Sequence, residues 1–281
     1  MSNNPLIKAY RKPALYITLP SGGQYYDPKP TLSVDGELAI YPMTARDELI
    51  TKTPDALFNG EATNTLIRSC APDIQDPDQI PVNDLLTILL SIRQASYGDK
   101  VEVDINCPQC KHINQMAFDA NTILAKSKSV EDVDRVVTLS GDFKVTLKPY
   151  SLKDRTILQI QQVKQAKMVQ ALTDSADLSE EEQTERFGKT FVEIANLTVE
   201  LIANCIEEVN HDTDLEEPVF DHDTIKEWLA NITTNDYDLI KETVEKLSDS
   251  GINQMFKISC QECGHGWDAQ VDLDMSNFFA G

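Results

Sequence analysis

Four of the six cysteines fall in two pairs, Cys107-Pro-Gln-Cys110 and Cys260-Gln-Glu-Cys263. Cysteines three apart in a tight turn point both sulfurs at one spot, while backbone N–H groups temper the thiolate charge. A zinc ion takes four such ligands in a tetrahedron, and neither pair supplies four alone. The flanks repeat too. Val101 to Asn106 precedes the first pair and Ile113 to Phe118 follows it; Met255 to Ser259 precedes the second and Trp267 to Leu273 follows it. Each reads as strand, CxxC, a few small or polar residues, strand. Two such zinc knuckles make a ribbon, so the expected cofactor is one structural Zn2+ on Cys107, Cys110, Cys260 and Cys263. Closing the 149-residue loop between Cys110 and Cys260 costs roughly 4–5 kcal/mol. A structural zinc contributes roughly 10–16 kcal/mol in small peptides, so the metal outweighs the loop if the intervening chain folds with its ends together.

Other chemistry fits these cysteines less well. The stretch from Met1 to Lys12 lacks the apolar core of a signal peptide, which points to the cytoplasm, where thiols stay reduced. A redox CxxC belongs at a helix start beside a βαβ unit, whereas both pairs here lie between strands. A catalytic zinc keeps an open position, and four sulfurs leave none. His112 and His265 each follow the second cysteine of a pair by two residues, and either is an alternative ligand. Cys70 and Cys205 fall on apolar helical faces and read as core. His211, Asp212, Asp214, Asp221, His222 and Asp223 form an acidic cluster able to hold a hard cation, though a solvated acidic loop explains it as well. Ser21-Gly22-Gly23 lacks the flanks of a nucleophile elbow. There is no phosphate-binding glycine loop and no HExxH pair. No catalytic residue is assigned, and no enzyme activity is expected.

The elements that must position the cysteines are legible from periodicity. Leu15 to Leu19 alternates and reads as a strand, turned by Pro20-Ser-Gly-Gly23, with a second short strand at Glu37 to Tyr41. Thr44 opens one helix and Thr53-Pro54 another. Leu57 to Cys70 is helical in spacing. Pro81 to Tyr97 is the clearest helix, with Leu85, Leu86, Leu89, Leu90 and Ile92 as its buried face and Gly98 as its stop. Val133–Leu139 and Phe143–Leu147 make a hairpin. Residues 151–173 and 179–209 read as long helices, the second opened by the capping box Ser179 to Glu182. Two shorter helices, Asp221–Ile232 and Asn235–Leu247, precede the closing strands at 254–273.

The 281 residues carry a net charge of −21, which phosphate backbones repel, so general nucleic-acid binding is not expected. No apolar run reaches 18 residues, so no membrane span is expected. Between Asp174 and Ser250, 22 acids face 5 bases, whereas Met1 to Tyr26 holds no acid and has Lys8, Arg11 and Lys12. The second stretch is either an ordinary terminus or a basic arm that docks on an acidic neighbour, a second copy of this chain included. Met275, Phe278 and Phe279 are apolar near the C-terminus, suited to packing back on the ribbon or entering a partner.

The motifs Leu19-Pro-Ser-Gly-Gly-Gln-Tyr-Tyr26, Tyr41-Pro-Met-Thr-Ala-Arg-Asp-Glu-Leu49, Thr53-Pro-Asp-Ala-Leu-Phe-Asn-Gly-Glu-Ala62 and Ser91-Ile-Arg-Gln-Ala-Ser-Tyr-Gly98 stand in an order that resembles the baseplate hub protein family of T4-type contractile-tailed bacteriophages. The resemblance covers about residues 13–120. It implies a virion protein of the tail baseplate, assembled in the host cytoplasm, whose partners are other baseplate hub, tail tube or tape-measure proteins. The expected role is a structural hub subunit; the alternative is an assembly chaperone for the hub or tape-measure protein that is absent from the mature virion. The expected fold is α+β, with β-rich N- and C-terminal parts joined by a split four-cysteine zinc ribbon and a helical insertion in the middle. Its parts are an extended arm with short strands at 1–42, a helical region plus the first knuckle at 43–120, a β-hairpin at 121–150, an acidic helical region at 151–250, and the second knuckle and tail at 251–281.

Overall fold

The computed structural model describes residues 11–51, 60–174, 180–211, 213, 217–252 and 255–270. Lys8, the expected helix start at Thr53-Pro54, the capping residue Ser179, and the tail residues Met275, Phe278 and Phe279 lie outside them. The chain divides into two compact units, one of residues 1–130 and 250–281 and the other of residues 131–249. The architecture is α+β.

In the first unit, β1 (Leu15–Ile17) pairs antiparallel with β2 (Leu38–Ile40), Tyr16 opposite Ala39. Among the described residues, the helices α1 (Ala45–Thr51), α2 (Glu61–Cys70) and α3 (Val82–Tyr97) follow. Gly60, the cap of α2, sits at φ 76°, a conformation that side chains resist. The core is Leu38 and Ile40 of the sheet packed with Leu66, Ile67, Ile88, Leu90 and Ile92 of the helices, all fully buried.

Helix α3 runs through the middle of this unit and is buried on more than one face. Ile88 is fully covered, while Leu86 is only half-buried. Its polar residues Asn83, Asp84, Thr87 and Ser91 are buried as well, because the helix is enclosed rather than lying on a surface. Asp84 shows what such a residue does. Its carboxylate accepts hydrogen bonds from the Ser21 N–H (2.8 Å), the Ser21 hydroxyl and the Tyr26 hydroxyl (2.7 Å). The turn Pro20 to Tyr26 is thereby pinned to α3. Gly23 is required in that turn, since it has φ 78° and a Cβ there would lie 2.9 Å from Leu32.

Arg11 is bound within its own chain. Its guanidinium donates to the carbonyls of Pro42 and Ser69 and to the Ser69 hydroxyl (2.7 Å), lies 3.4 Å from the Asp47 carboxylate, and stacks over Tyr41. Of the basic arm read from the sequence, only Lys12 is exposed among the described residues. Hydrogen bonds to charged groups contribute about 1.5–3 kcal/mol each, and this cluster orphans two carbonyls when broken. Arg11→Ala is therefore expected to cost about 2–3 kcal/mol, read as a lower urea midpoint with an unchanged slope.

In the second unit, β5 (Val136–Thr138), β6 (Lys144–Leu147) and β7 (Ile206–Asn210) form an antiparallel sheet in that order. The unit also contains α5 (Leu152–Asp174), α6 (Glu180–Ala203), α7 (His222–Leu229) and α8 (Thr234–Ser248). The insertion is thus not purely helical. The helix expected over 179–209 ends at Ala203, and Ile206 and Val209 turn inward from a strand against β6. Cys205 is buried as expected, but it lies between helix and strand rather than on a helical face. Two of the helices open on reciprocal caps: Ser151 with Asp154, and Thr233 with Asp236. Within residues 131–249, 27 acids face 12 bases, so this unit carries −15 of the chain's −21.

Candidate metal centre

Each cysteine pair sits at the tip of a hairpin whose register the sequence sets. β3 (Lys100–Asn106) pairs with β4 (Ile113–Asp119), closing at Asn106 opposite Ile113. β8 (Met255–Ser259) pairs with β9 (Gly266–Gln270), closing at Ser259 opposite Gly266. The two tips have the same internal bonds. Cys107 N–H donates to the His112 carbonyl at 2.9 Å and Lys111 N–H to the Cys107 carbonyl at 3.0 Å. In the other tip, Cys260 N–H donates to His265 at 2.8 Å and Gly264 N–H to Cys260 at 3.0 Å. The fifth residue of each turn is left-handed, Lys111 at φ 61° and Gly264 at φ 70°.

Only glycine takes that conformation freely, and an L side chain there costs roughly 1–2 kcal/mol. Lys111→Gly is expected to raise stability by about 0.5–1 kcal/mol after the added freedom of the unfolded chain is subtracted. A higher melting temperature with unchanged metal content checks it.

The four sulfurs converge. Cys107 Sγ lies 3.7 Å from Cys263 Sγ, and Cys110 Sγ lies 3.6 Å from Cys260 Sγ. All four are within 4.8 Å of one another. Disulfide sulfurs stand about 2.05 Å apart, so these are not bonded. A tetrahedral ion with metal–sulfur bonds of about 2.3 Å holds its ligands about 3.8 Å apart, and the cross-knuckle distances match that edge. Cys107 and Cys260 are buried, while Cys110 and Cys263 are exposed, so the set lies at the surface with two inner and two outer sulfurs.

The electrostatics agree with the geometry. Backbone N–H groups of Cys263 and then Glu262, together with the thiols of Cys110 and Cys263, pull the Cys260 thiol down to about 6. At Cys110 the His112 N–H also favours the thiolate, but desolvation and the three neighbouring thiols carry it up to about 12. Four like charges this close repel strongly; a dication at their centre removes that conflict.

Further contacts join the knuckles, and the sequence reading passed over them. Asn114, fully buried, donates to the carbonyls of Ile105 and His112 in its own hairpin and accepts from the Gln261 N–H at 2.8 Å in the other. An amide at an inward-facing strand position was the available signal. The rings of Phe118 and Phe256 lie 4.7 Å apart, packing β4 on β8.

The alternative ligands are placed elsewhere. His265 stacks on Trp267 with centroids 5.9 Å apart, and neither it nor His112 joins the sulfur cluster. The acidic cluster is not assembled among the described residues. His211 is buried, with Nε2 2.7 Å from the Gly141 carbonyl and Nδ1 accepting the Thr213 N–H. His222 Nε2 meets Asn204 at 2.8 Å, and Asp221 caps α7 through the Thr224 N–H. Asp212 and Asp214 lie outside the described residues. Ser21 is held by Asp84.

Neither the curated proteins nor the solved structures yield a match to this chain. A family model described as T4 bacteriophage base plate protein matches residues 14–280. The match spans both knuckles and the long acidic stretch between them, well beyond the N-terminal motifs that first suggested a baseplate. The chain therefore belongs to the T4 bacteriophage base plate protein family.

Proposed function

We propose that this baseplate protein is a non-enzymatic structural subunit of the tail hub, retained in the finished tail, whose first unit is locked by a zinc ion on Cys107, Cys110, Cys260 and Cys263. The convergence of four sulfurs within 4.8 Å carries the reading. A set of four thiolates is closed: it leaves no position for substrate or activated water. The ion supplies a cross-link between two hairpins distant in sequence. A family built into the tail baseplate works through contacts with other baseplate proteins, which calls for rigid modules. Among the described residues no helix is long and apolar enough to cross a membrane.

The −15 of residues 131–249 favours one second reading, an assembly chaperone that shields a basic client and leaves before the tail is complete. Quantitative mass spectrometry of purified tails separates the two. A fixed number of copies per tail supports the structural subunit. Absence from intact tails, with presence in infected-cell extracts, supports the chaperone instead.

A further inference from the structure

The chain leaves the first unit after Val130 and re-enters it at Ser250. Both ends meet at the first turn of α3. On the returning side, the buried Asn83 donates its side-chain amide to the Ser250 hydroxyl at 2.6 Å and to the Ser250 carbonyl at 3.2 Å. The next residue, Gly251, has φ 98°, and a Cβ on it would stand 2.8 Å from the Asn83 carbonyl oxygen. Side chains do not pack that closely, so the backbone lies directly on the helix because residue 251 is glycine. On the departing side, the Pro20 carbonyl accepts from the Val130 N–H at 3.1 Å and from the Ser129 hydroxyl at 3.3 Å. The adjoining Ser21 is bound to Asp84, the residue after Asn83. The two ends also bond to each other, the Lys128 N–H to the Gly251 carbonyl at 3.0 Å.

These contacts bear on the sulfurs through chain length. From Cys110 the chain runs through β4 and α4 (Ala120–Leu124) to Lys128, 18 residues on. From Gly251 it runs through β8 to Cys260, nine residues on. With Lys128 bonded to Gly251, the two pairs are separated by 27 residues of chain, 111–128 and 251–259, in place of the 149 between Cys110 and Cys260. Closure entropy rises with the logarithm of loop length. The shorter path therefore raises the effective concentration of one pair at the other by up to about 13-fold. A site whose ligands are gathered by the protein binds more tightly, because the ordering is complete before the ion arrives. Asn114 and Phe118 act at the knuckles themselves. Asn83 acts at Ser250, ten positions before Cys260, and reaches the sulfurs only through the chain.

We propose that Asn83 is a positioning residue for the four-cysteine site: with Gly251 it closes the loop between the two knuckles before a metal binds, and so sets the affinity of the site. The inference rests on the reading of Cys107, Cys110, Cys260 and Cys263 as metal ligands. The test titrates cobalt(II) into the reduced, metal-free full chain and follows the thiolate-to-cobalt absorption band. Asn83→Ala is expected to weaken cobalt binding by at least twofold and at most about 13-fold, with the shape of the band unchanged. Ser250→Ala, which removes the 2.6 Å bond and leaves Asn83 in place, weakens it at least twofold and serves instead if Asn83→Ala fails to fold. Arg11→Ala destabilises the same unit away from the ends of the loop and leaves cobalt affinity unchanged. Without metal, the Lys128 amide exchanges its hydrogen more slowly in the wild type than in Asn83→Ala. A loss under twofold in every folded variant, an equal loss in Arg11→Ala, or a Lys128 amide that exchanges alike in both metal-free chains overturns the proposal and leaves the metal reading standing. A wild-type chain that gives no cobalt–thiolate band overturns the metal reading, and this proposal with it.

Discussion

Replacing Cys107 or Cys260 with serine is expected to leave a protein that is insoluble, or that is cut by protease at the knuckles under conditions where the wild type resists. These are the two buried members of the sulfur set, so their loss strikes its inner half. The apparent binding free energy of a structural zinc is about 10–16 kcal/mol, and a whole domain's stability is about 5–15 kcal/mol. Losing a large part of the first is enough to exhaust the second. The damage should be local at first. Asn114, Gln261 and the Phe118–Phe256 pair still join the hairpins, but they do not replace a metal cross-link. Limited proteolysis with and without a chelator checks the expectation. Cysteine-to-serine variants as resistant as the wild type would remove the lock from the account.

The second large effect belongs to Asp84. It is completely buried and accepts three hydrogen bonds. Asp84→Ala strands the Ser21 N–H and two hydroxyls without an acceptor, and is expected to cost about 3–5 kcal/mol. The pH dependence is more specific. Burial pushes the Asp84 carboxyl up to about 6, against the pull of the Ser21 and Tyr26 hydrogen bonds. A folded value above the unfolded one means that the group's contribution to stability is full below about pH 4 and is lost as pH rises through about 6. The shift corresponds to on the order of 3 kcal/mol. Asp84→Asn lacks this titration. The stability of the wild type minus that of Asp84→Asn should therefore fall by about that amount between pH 4 and pH 7, measured by urea unfolding at each pH. A difference that stays flat contradicts the burial of a charge at this position.

The four-cysteine cluster was the most legible part of the molecule. Spacing within each pair, the repeated strand flanks and the loop arithmetic all pointed to Cys107, Cys110, Cys260 and Cys263, and their sulfurs do converge. The hairpins at 100–119 and 255–270 and helix α3 followed from alternation and periodicity. Errors arose where a local pattern served two structures. Leu197, Leu201, Ile202 and Cys205 keep a helical stripe that runs into Ile206 and Val209, and only pairing with β6 makes the last two a strand. Nothing within the segment announces that partner. The polar residues of α3 were set aside because burial of Asp84 depends on Ser21 and Tyr26, about 60 residues earlier, folding over it. Arg11 read as part of an ordinary terminus or a docking arm because its acceptors include the backbone carbonyls of Pro42 and Ser69, which carry no sequence signature.

The central claim is that one zinc ion joins the two knuckles. Metal analysis of the full chain purified without added metal, combined with X-ray absorption at the zinc edge, tests it most directly. One zinc per chain is predicted, bound by four sulfurs at about 2.3 Å and lost together with the folded state on chelation. A metal-free chain whose melting temperature is unchanged by chelator and by added zinc would contradict it.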